Sequence, residues 1–125
     1  MSEQSKVGKI EWCDLTVNNA SELRDFYSKV VGWESAPVSM GDYDDYGMNL
    51  PGSDQCVSGI CHAKGPNANM PAQWLMYVRV QDIEQSAKQC IDAGGEVIEG
   101  LRSLGSSNFC VIKDPAGAVL ALISD

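Results

Sequence analysis

Histidine is almost absent from this sequence: His62 is the only one in 125 residues. A single imidazole rules out a multi-histidine metal centre. Basic residues are scarce too, with 9 Lys and Arg against 17 Asp and Glu, a net charge of -8 and a pI near 4.4. Nucleic acid and anionic membrane surfaces need clustered Lys and Arg, so neither is an expected partner. No apolar run approaches the ~18–20 residues of a membrane span. Met1 to Lys9 is polar, has no apolar signal core, and is expected as a frayed lead-in. The five cysteines, Cys13, Cys56, Cys61, Cys90 and Cys110, are odd in number, scattered and without a C-x-x-C. That argues against a disulfide frame or a structural zinc site, and for free thiols in a reducing cytoplasm. The glycines, Gly94-Gly95 included, form neither a phosphate loop nor a dinucleotide fingerprint. No cofactor is expected on these grounds.

What is present is an internal repeat. Ile10 to Val17 (IEWCDLTV) reads as a strand, and Ala20 to Val31 follows with Leu23, Phe26, Tyr27, Val30 and Val31 at helical spacing. Asn19 with Glu22 three residues on forms a capping-box pattern, and Gly32 suits the helix end. A shift of 63 positions brings up the same pieces: the strand Gln73 to Val80, the cap Asp82, its partner Gln85, a helix over Ile83 to Ala93 with Ile83, Ala87, Cys90 and Ile91 on one face, and Gly95. The same shift maps Tyr46 to Phe109, Cys56 to Val119, Val57 to Leu120 and Ile60 to Ile123. Further strands are expected near Glu34–Met40, Tyr46–Leu50 and Gln55–Cys61, and again near Glu96–Leu101, Asn108–Lys113 and Ala118–Ser124. The pattern predicts one domain made of two strand–helix–three-strand units, residues 10–62 and 73–125, after a lead-in over 1–9. The Gly-, Pro- and Asn-rich segment 63–72 links them.

The segments WCDLTVNNASELRDFYSKVVGWE and YVRVQDIEQSAKQCIDAGGEV, followed by KDPAGAVLAL with Asp114, Pro115, Gly117 and Leu122, resemble the vicinal oxygen chelate superfamily. This is the group of glyoxalase I, bleomycin-resistance proteins and extradiol dioxygenases. The resemblance runs from about Gly8 to Asp125. It implies an α+β fold in which two tandem βαβββ units form a curved mixed sheet around a cavity, with the helices on the outer face. Strand alternation then sorts the side chains. Trp12, Asp14 and Thr16 are expected to face the cavity, as are Leu75, Tyr77 and Arg79, and Val119, Ala121 and Ile123. By the shift of 63, Ser58, Ile60 and His62 join them. Cys13, Leu15, Val17, Met76, Val78, Val80, Leu120 and Leu122 are expected under the helices.

Metal-using members of that superfamily hold a divalent ion with His, Gln or Glu on the first and fourth strands of each unit. Carried over, those positions are Trp12, Ser58, Leu75 and Ala121, and a one-residue slip brings in only Cys13, Gly59, Met76 or Leu120. None of these is a carboxylate or imidazole ligand, and Trp, Leu and Ala offer a hard divalent ion no donor at all. The resemblance thus implies a metal-free member.

The ligand-binding candidates are Trp12, Asp14, Ser58, Ile60, His62, Leu75, Tyr77, Arg79 and Ala121, with Asp14, His62 and Tyr77 as proton-transfer candidates. Asp14 and Arg79 are charged residues inside strands, so they either form a structural ion pair or meet a polar ligand. Trp12 and Tyr77 either stack a flat ligand or fill the core, whereas Trp74 is expected to pack. Cys13 and Cys61 read as small buried hydrophobes. Asp42 to Asp45 lacks the spacing of a calcium loop and reads as a solvated turn. Met40, Met48 and Met70 suit either an adaptable pocket or the core. Three functions stay open. One is a module that binds a small organic molecule, for which the acidic surface suits cations. The second is a lyase or isomerase acting on a vicinal-oxygen substrate. The third is a non-catalytic accessory subunit. A homodimer is expected by analogy with small members of the group.

Overall fold

The computed structural model describes residues 6–125. The lead-in expected over 1–9 therefore lies partly outside the described residues. The fold is α+β. Its elements, in chain order, are β1 (Ile10–Val17), α1 (Ala20–Val30), β2 (Glu34–Ser39), β3 (Asp44–Asn49) and β4 (Cys56–His62). A short 3-10 turn (Gly65–Asn67) follows, then β5 (Trp74–Arg79), α2 (Ile83–Asp92), β6 (Glu96–Leu104), β7 (Ser107–Lys113) and β8 (Val119–Ser124). The chain divides into two compact units. Residues 13–74 form one, the α1 unit; of the described residues, 6–12 and 75–125 form the other, the α2 unit.

Within the α1 unit the strand order is β2-β3-β4-β1, antiparallel except for the parallel β4–β1 pair. Within the α2 unit it is β6-β7-β8-β5, again antiparallel except for the parallel β5–β8 pair. The parallel pairs follow from the helices, because a helical crossover returns the chain in the direction in which it left.

α1 lays Ala20, Leu23 and Tyr27 on a core of Tyr46, Met48, Ile60 and Val17, joined by Trp33 and Trp74. α2 does the same with Ile83 and Ala87 over Cys110, Leu122, Val80, Val97, Ile112 and Leu120. Trp74 packs as expected: its indole N–H donates to the Tyr27 hydroxyl at 3.0 Å, and its ring meets those of Tyr27 and Trp33 edge-on. Met48 and Met70 are buried, whereas Met40 is exposed. The apolar stripes of the helices are narrower than their spacing predicts. Phe26, Val30, Val31 and Ile91 are all at least half exposed, because only one turn-to-turn row of each helix reaches the sheet.

These cores fix the strand faces. Leu15 lies across from Ile60 and Val17 across from His62 in the parallel β1–β4 pair, so all four belong to the helix side. Ile60 is fully buried there. This corrects the inward assignment of Ser58, Ile60 and His62. Their strand carries Gly59 and Cys61, across from Asp14 and Thr16, on the side away from α1. In the α2 unit the expected sorting holds: Tyr77 pairs with Ala121 and Arg79 with Ile123 away from α2, and Val78 pairs with Leu122 beneath it.

Candidate functional site

The two units present different chemistry on the faces turned away from their helices. In the α2 unit that face carries Leu75, Tyr77, Phe109, Val111, Ala121 and Ile123, all buried. The Tyr77 and Phe109 rings lie 5.8 Å apart, and the Arg102 guanidinium sits 4.8 Å over Phe109. This is a filled apolar layer.

Arg79 ends that row, and Glu11 and Asp125 hold it. Its Nε and Nη2 donate to the two carboxylate oxygens of Glu11, the second at 3.0 Å, and its Nη1 donates to Asp125 at 2.9 Å. The Arg79 backbone also donates to Lys9 and accepts from Gly8. Paired to Arg79, the Glu11 carboxyl is held below the usual range, and the guanidinium is raised in turn by the same bond. Three donors committed to two carboxylates make Arg79 a brace of the α2 unit. Neither partner was visible from spacing alone, because Glu11 lies on a strand end and Asp125 at the C-terminus.

In the α1 unit the matching face is polar and small. Asp14 and Thr16 on β1 lie across from Gly59 and Cys61 on β4, and Gly59 lies across from Gly47 on β3. Asp45 lies two residues before Gly47, on the same row. Thr16 and Asp45 are each 5% exposed. Burial pushes the Cys61 thiol up to about 12, and the negative charges of Asp14 and Asp45 push it the same way. A thiol so placed is a small polarizable group and not a nucleophile at neutral pH.

Asp45 is the residue the sequence hid. It was expected in a solvated turn, yet it is the second residue of β3 and is buried. Its Oδ1 accepts the backbone N–H of His62 at 2.8 Å and lies 3.3 Å from the His62 ring Nδ1. The Tyr43 ring meets His62 edge-on at 5.3 Å, and the Lys64 ammonium lies 4.7 Å over Tyr43. The one available signal was alternation: Asp45 stands two positions before Gly47 and three before the core Met48, in phase with the face away from α1.

The other candidates fall in several places. Asp14 belongs to the polar row, and Ser58 and Ile60 belong to the helix side. His62 stands at the end of β4 against Asp45. Leu75, Tyr77 and Ala121 belong to the apolar layer. Trp12 is part-exposed on β1, at the edge of the α2 unit.

The positions at which relatives hold a metal do not suit one here. The registers make Gly59, rather than Ser58, the counterpart of Ala121 beside the first strand of each unit. Trp12, Gly59, Leu75 and Ala121 supply no donor atom from their side chains for a hard cation. Among the described residues no group of three or more His, Cys, Asp or Glu is placed to hold a metal ion.

Comparison with known proteins agrees with this architecture. DnrV of Streptomyces peucetius, an anthracycline biosynthesis protein, is 30% identical over 128 residues, covering 92% of this chain and 46% of DnrV. The Mycobacterium tuberculosis protein CFP32 is 27% identical over 120 residues, covering 95% of this chain and 45% of CFP32. The chain thus spans about half the length of the curated relatives it matches. Among solved structures, methylmalonyl-CoA epimerase from Mycobacterium tuberculosis superposes with a TM-score of 0.54 at 17% identity, covering 98% of this chain and 91% of that one. A superfamily member from Vibrio splendidus 12B01 gives a TM-score of 0.59 at 15% identity, covering 91% and 97%. The family model matches residues 9–122, and the chain belongs to the glyoxalase/bleomycin resistance protein/dioxygenase superfamily.

Proposed function

We propose that this chain is a small-molecule-binding domain of its superfamily. Its ligand would sit against the row Asp14, Thr16, Asp45 and Cys61 and be held without a resident divalent metal. The observation that carries this reading is the contrast between the two faces. Asp14, Asp45, Gly47, Gly59 and Cys61 stand where the other unit has Tyr77, Phe109, Val111, Ala121 and Ile123. Carboxylates on an inner strand face cost free energy unless something of opposite charge or good donors meets them. An apolar layer fills the matching positions of the α2 unit, so the fold itself does not require a polar row there.

Two carboxylates and a net charge of -8 favour a cationic or donor-rich organic ligand. They disfavour highly anionic ligands of the kind in the epimerase complex with methylmalonyl-CoA. A relative named for anthracycline biosynthesis supports an organic natural product as the ligand class. A homodimer in the cytoplasm is part of the same proposal, and size-exclusion chromatography with light scattering reads the dimer.

The test is melting followed by circular dichroism with a planar cation, acridine orange, and a planar anion, fluorescein. At 100 times its dissociation constant a ligand stabilises by about 2.7 kcal/mol. The cation should raise the melting temperature and the anion should not, and Asp14→Asn with Asp45→Asn should abolish the shift. Equal shifts with both dyes, or a shift that survives both substitutions, defeat the assignment. Calorimetric titration with Zn2+, Mn2+ and Ni2+ should show no tight stoichiometric binding.

A further inference from the structure

We propose that His62 makes cation binding at the polar row sensitive to pH: when its imidazole takes up a proton it pairs with Asp45 and cancels the charge that Asp45 offers a ligand. This rests on the binding reading above and adds a regulation to the same site.

His62 does not act on the ligand directly. Strand alternation sets it on the helix side with Ile60, so its ring does not reach the row. Asp45 is the connection. The β3–β4 ladder ends at Tyr46 across from Ile60. Beyond it the His62 backbone N–H donates to Asp45 Oδ1 at 2.8 Å rather than to a main-chain oxygen of β3. The same oxygen lies 3.3 Å from the ring Nδ1. The carboxylate also reaches the thiol of Cys61, which is on the row. One carboxylate thus meets the row through Cys61 and the imidazole through Nδ1.

The surroundings let that charge matter. Only 13% of the His62 side chain and 8% of the Asp45 side chain are exposed. Charges interact more strongly where water is excluded. The Tyr43 ring, edge-on at 5.3 Å, and the Tyr46 ring at 6.0 Å flank the imidazole. The charged or titratable groups around the pair are Tyr43, Asp44 and Tyr46 from β3 and its turn, Cys61 from β4, Asp14 from β1, Arg24 from α1, and Lys64 just beyond β4. The two cations sit on rings, Arg24 4.7 Å over Tyr46 and Lys64 4.7 Å over Tyr43. Among the described residues neither pairs with Asp45, so an imidazolium is the positive charge nearest its carboxylate.

The sign of the effect follows. A neutral imidazole leaves Asp45 its charge, and an imidazolium at Nδ1 offsets it. Imidazoles ordinarily titrate at about pH 6.5, well above carboxylates at about 4. A proton on His62 and a cation on the row therefore compete for one negative charge. Such coupling is reciprocal, so each weakens the other by the same factor. Binding is tight at pH 8 and weakens as pH falls through the imidazole range.

Two readouts test this. The first needs no ligand. In carbon NMR of aspartate-labelled protein, the Asp45 carboxyl signal, identified by its loss in Asp45→Asn, should step between pH 8 and pH 5.5 together with the single imidazole. The step should vanish in His62→Gln. The second is the affinity for acridine orange, which stays cationic over this range. Wild-type protein should bind it about tenfold more weakly at pH 5.5 than at pH 8. His62→Gln should bind it equally at both. Asp45→Asn should bind it at pH 8 as weakly as the wild type does at pH 5.5, with no pH dependence, which keeps the test decisive if His62→Gln does not fold. An Asp45 signal that ignores the imidazole overturns the proposal, as does a wild-type affinity flat with pH or an equal fall in His62→Gln. In each of those cases a dye bound at pH 8 leaves the binding reading standing. No binding at pH 8 fails that reading and this proposal with it.

Discussion

Arg79 grips Glu11 through two nitrogens and Asp125 through the third, while its backbone pairs with that of Gly8 and Lys9. The Arg79 side chain is about nine-tenths buried, and the Asp125 end of the cluster is more open to water than the Glu11 end. Removing one member of such a pair leaves a charge without its partner, which costs about 3 kcal/mol. Arg79→Met should therefore lower the unfolding free energy by that amount, read as a lower urea midpoint at unchanged slope.

The same pair sets a pH dependence. The Glu11 carboxyl is held below its ordinary value by the Arg79 bond. A depressed carboxylate contributes stability that is complete above the unfolded value of about 4.3 and is lost as pH falls through the folded value. Below about pH 4 the wild-type protein should lose stability more steeply than Glu11→Gln, which has no proton to take up there. Parallel curves for the two proteins would detach the acid response from this pair.

Much of the fold was legible because local signals agreed with one another. Caps, helix-ending glycines and strand alternation all marked the duplication, and every expected strand and helix is present within a few residues. The shift of 63, however, does not hold throughout. It fits β1 with β5 and the helix starts. By β3, Tyr46 across from Ile60 matches Cys110 across from Leu122, a shift of 64. By β4, Gly59 matches Ala121, a shift of 62. The loops between strands changed length while the sheet kept its pairing, and a one-residue change in count turns a strand's side chains over. For that reason Ser58 and Ile60 were read onto the wrong face and Asp45 was lost in a turn. The partners of Arg79 were illegible for a different cause: ion pairs between residues 68 and 46 positions apart leave no local trace.

The two helix starts look alike in sequence but not in structure. The Asp82 carboxylate accepts the Gln85 backbone N–H at 3.2 Å from an extended backbone. Asn19 adopts neither that conformation nor a side-chain capping bond. Losing a working cap costs about 1 kcal/mol. Asp82→Ala should show that loss in equilibrium unfolding, whereas Asn19→Ala should cost well under half of it. Equal losses would mean that Asn19 caps α1 in solution.

Gly94 and Gly95 divide two tasks that the repeat assigned to one residue. Gly94, with φ at +96°, is the counterpart of Gly32 at +91°, and each ends its helix in the left-handed region. Gly95 is needed for space. A Cβ there would stand 2.7 Å from the Cys90 sulfur and 2.8 Å from the Lys113 carbonyl oxygen. Gly94→Ala should cost about 1–2 kcal/mol from backbone strain, and Gly95→Ala about 1–3 kcal/mol from overpacking. Adding Cys90→Ala should recover only part of the second loss, because the β7 carbonyl cannot move without breaking its strand. Full recovery would show that the sulfur alone sets the limit.

The thiols offer a readout of the same packing. Cys56 is exposed, with its sulfur against the Ser58 carbonyl at 3.3 Å, whereas Cys110 is 1% exposed in the α2 core. Burial pushes Cys61 up to about 12 and Cys110 up to about 11. A disulfide reagent attacks the thiolate, so at pH 8 these two are disfavoured twice, by access and by charge. Titration with 5,5′-dithiobis(2-nitrobenzoate) should show a fast phase that Cys56→Ser removes. The phases from Cys61 and Cys110 should wait on opening of their units and accelerate with added urea, while the Cys56 phase stays constant. A fast phase that survives Cys56→Ser and disappears in Cys61→Ser would mean that the polar row of the α1 unit is open to reagents of that size, and that Asp14 and Asp45 meet water before any ligand arrives.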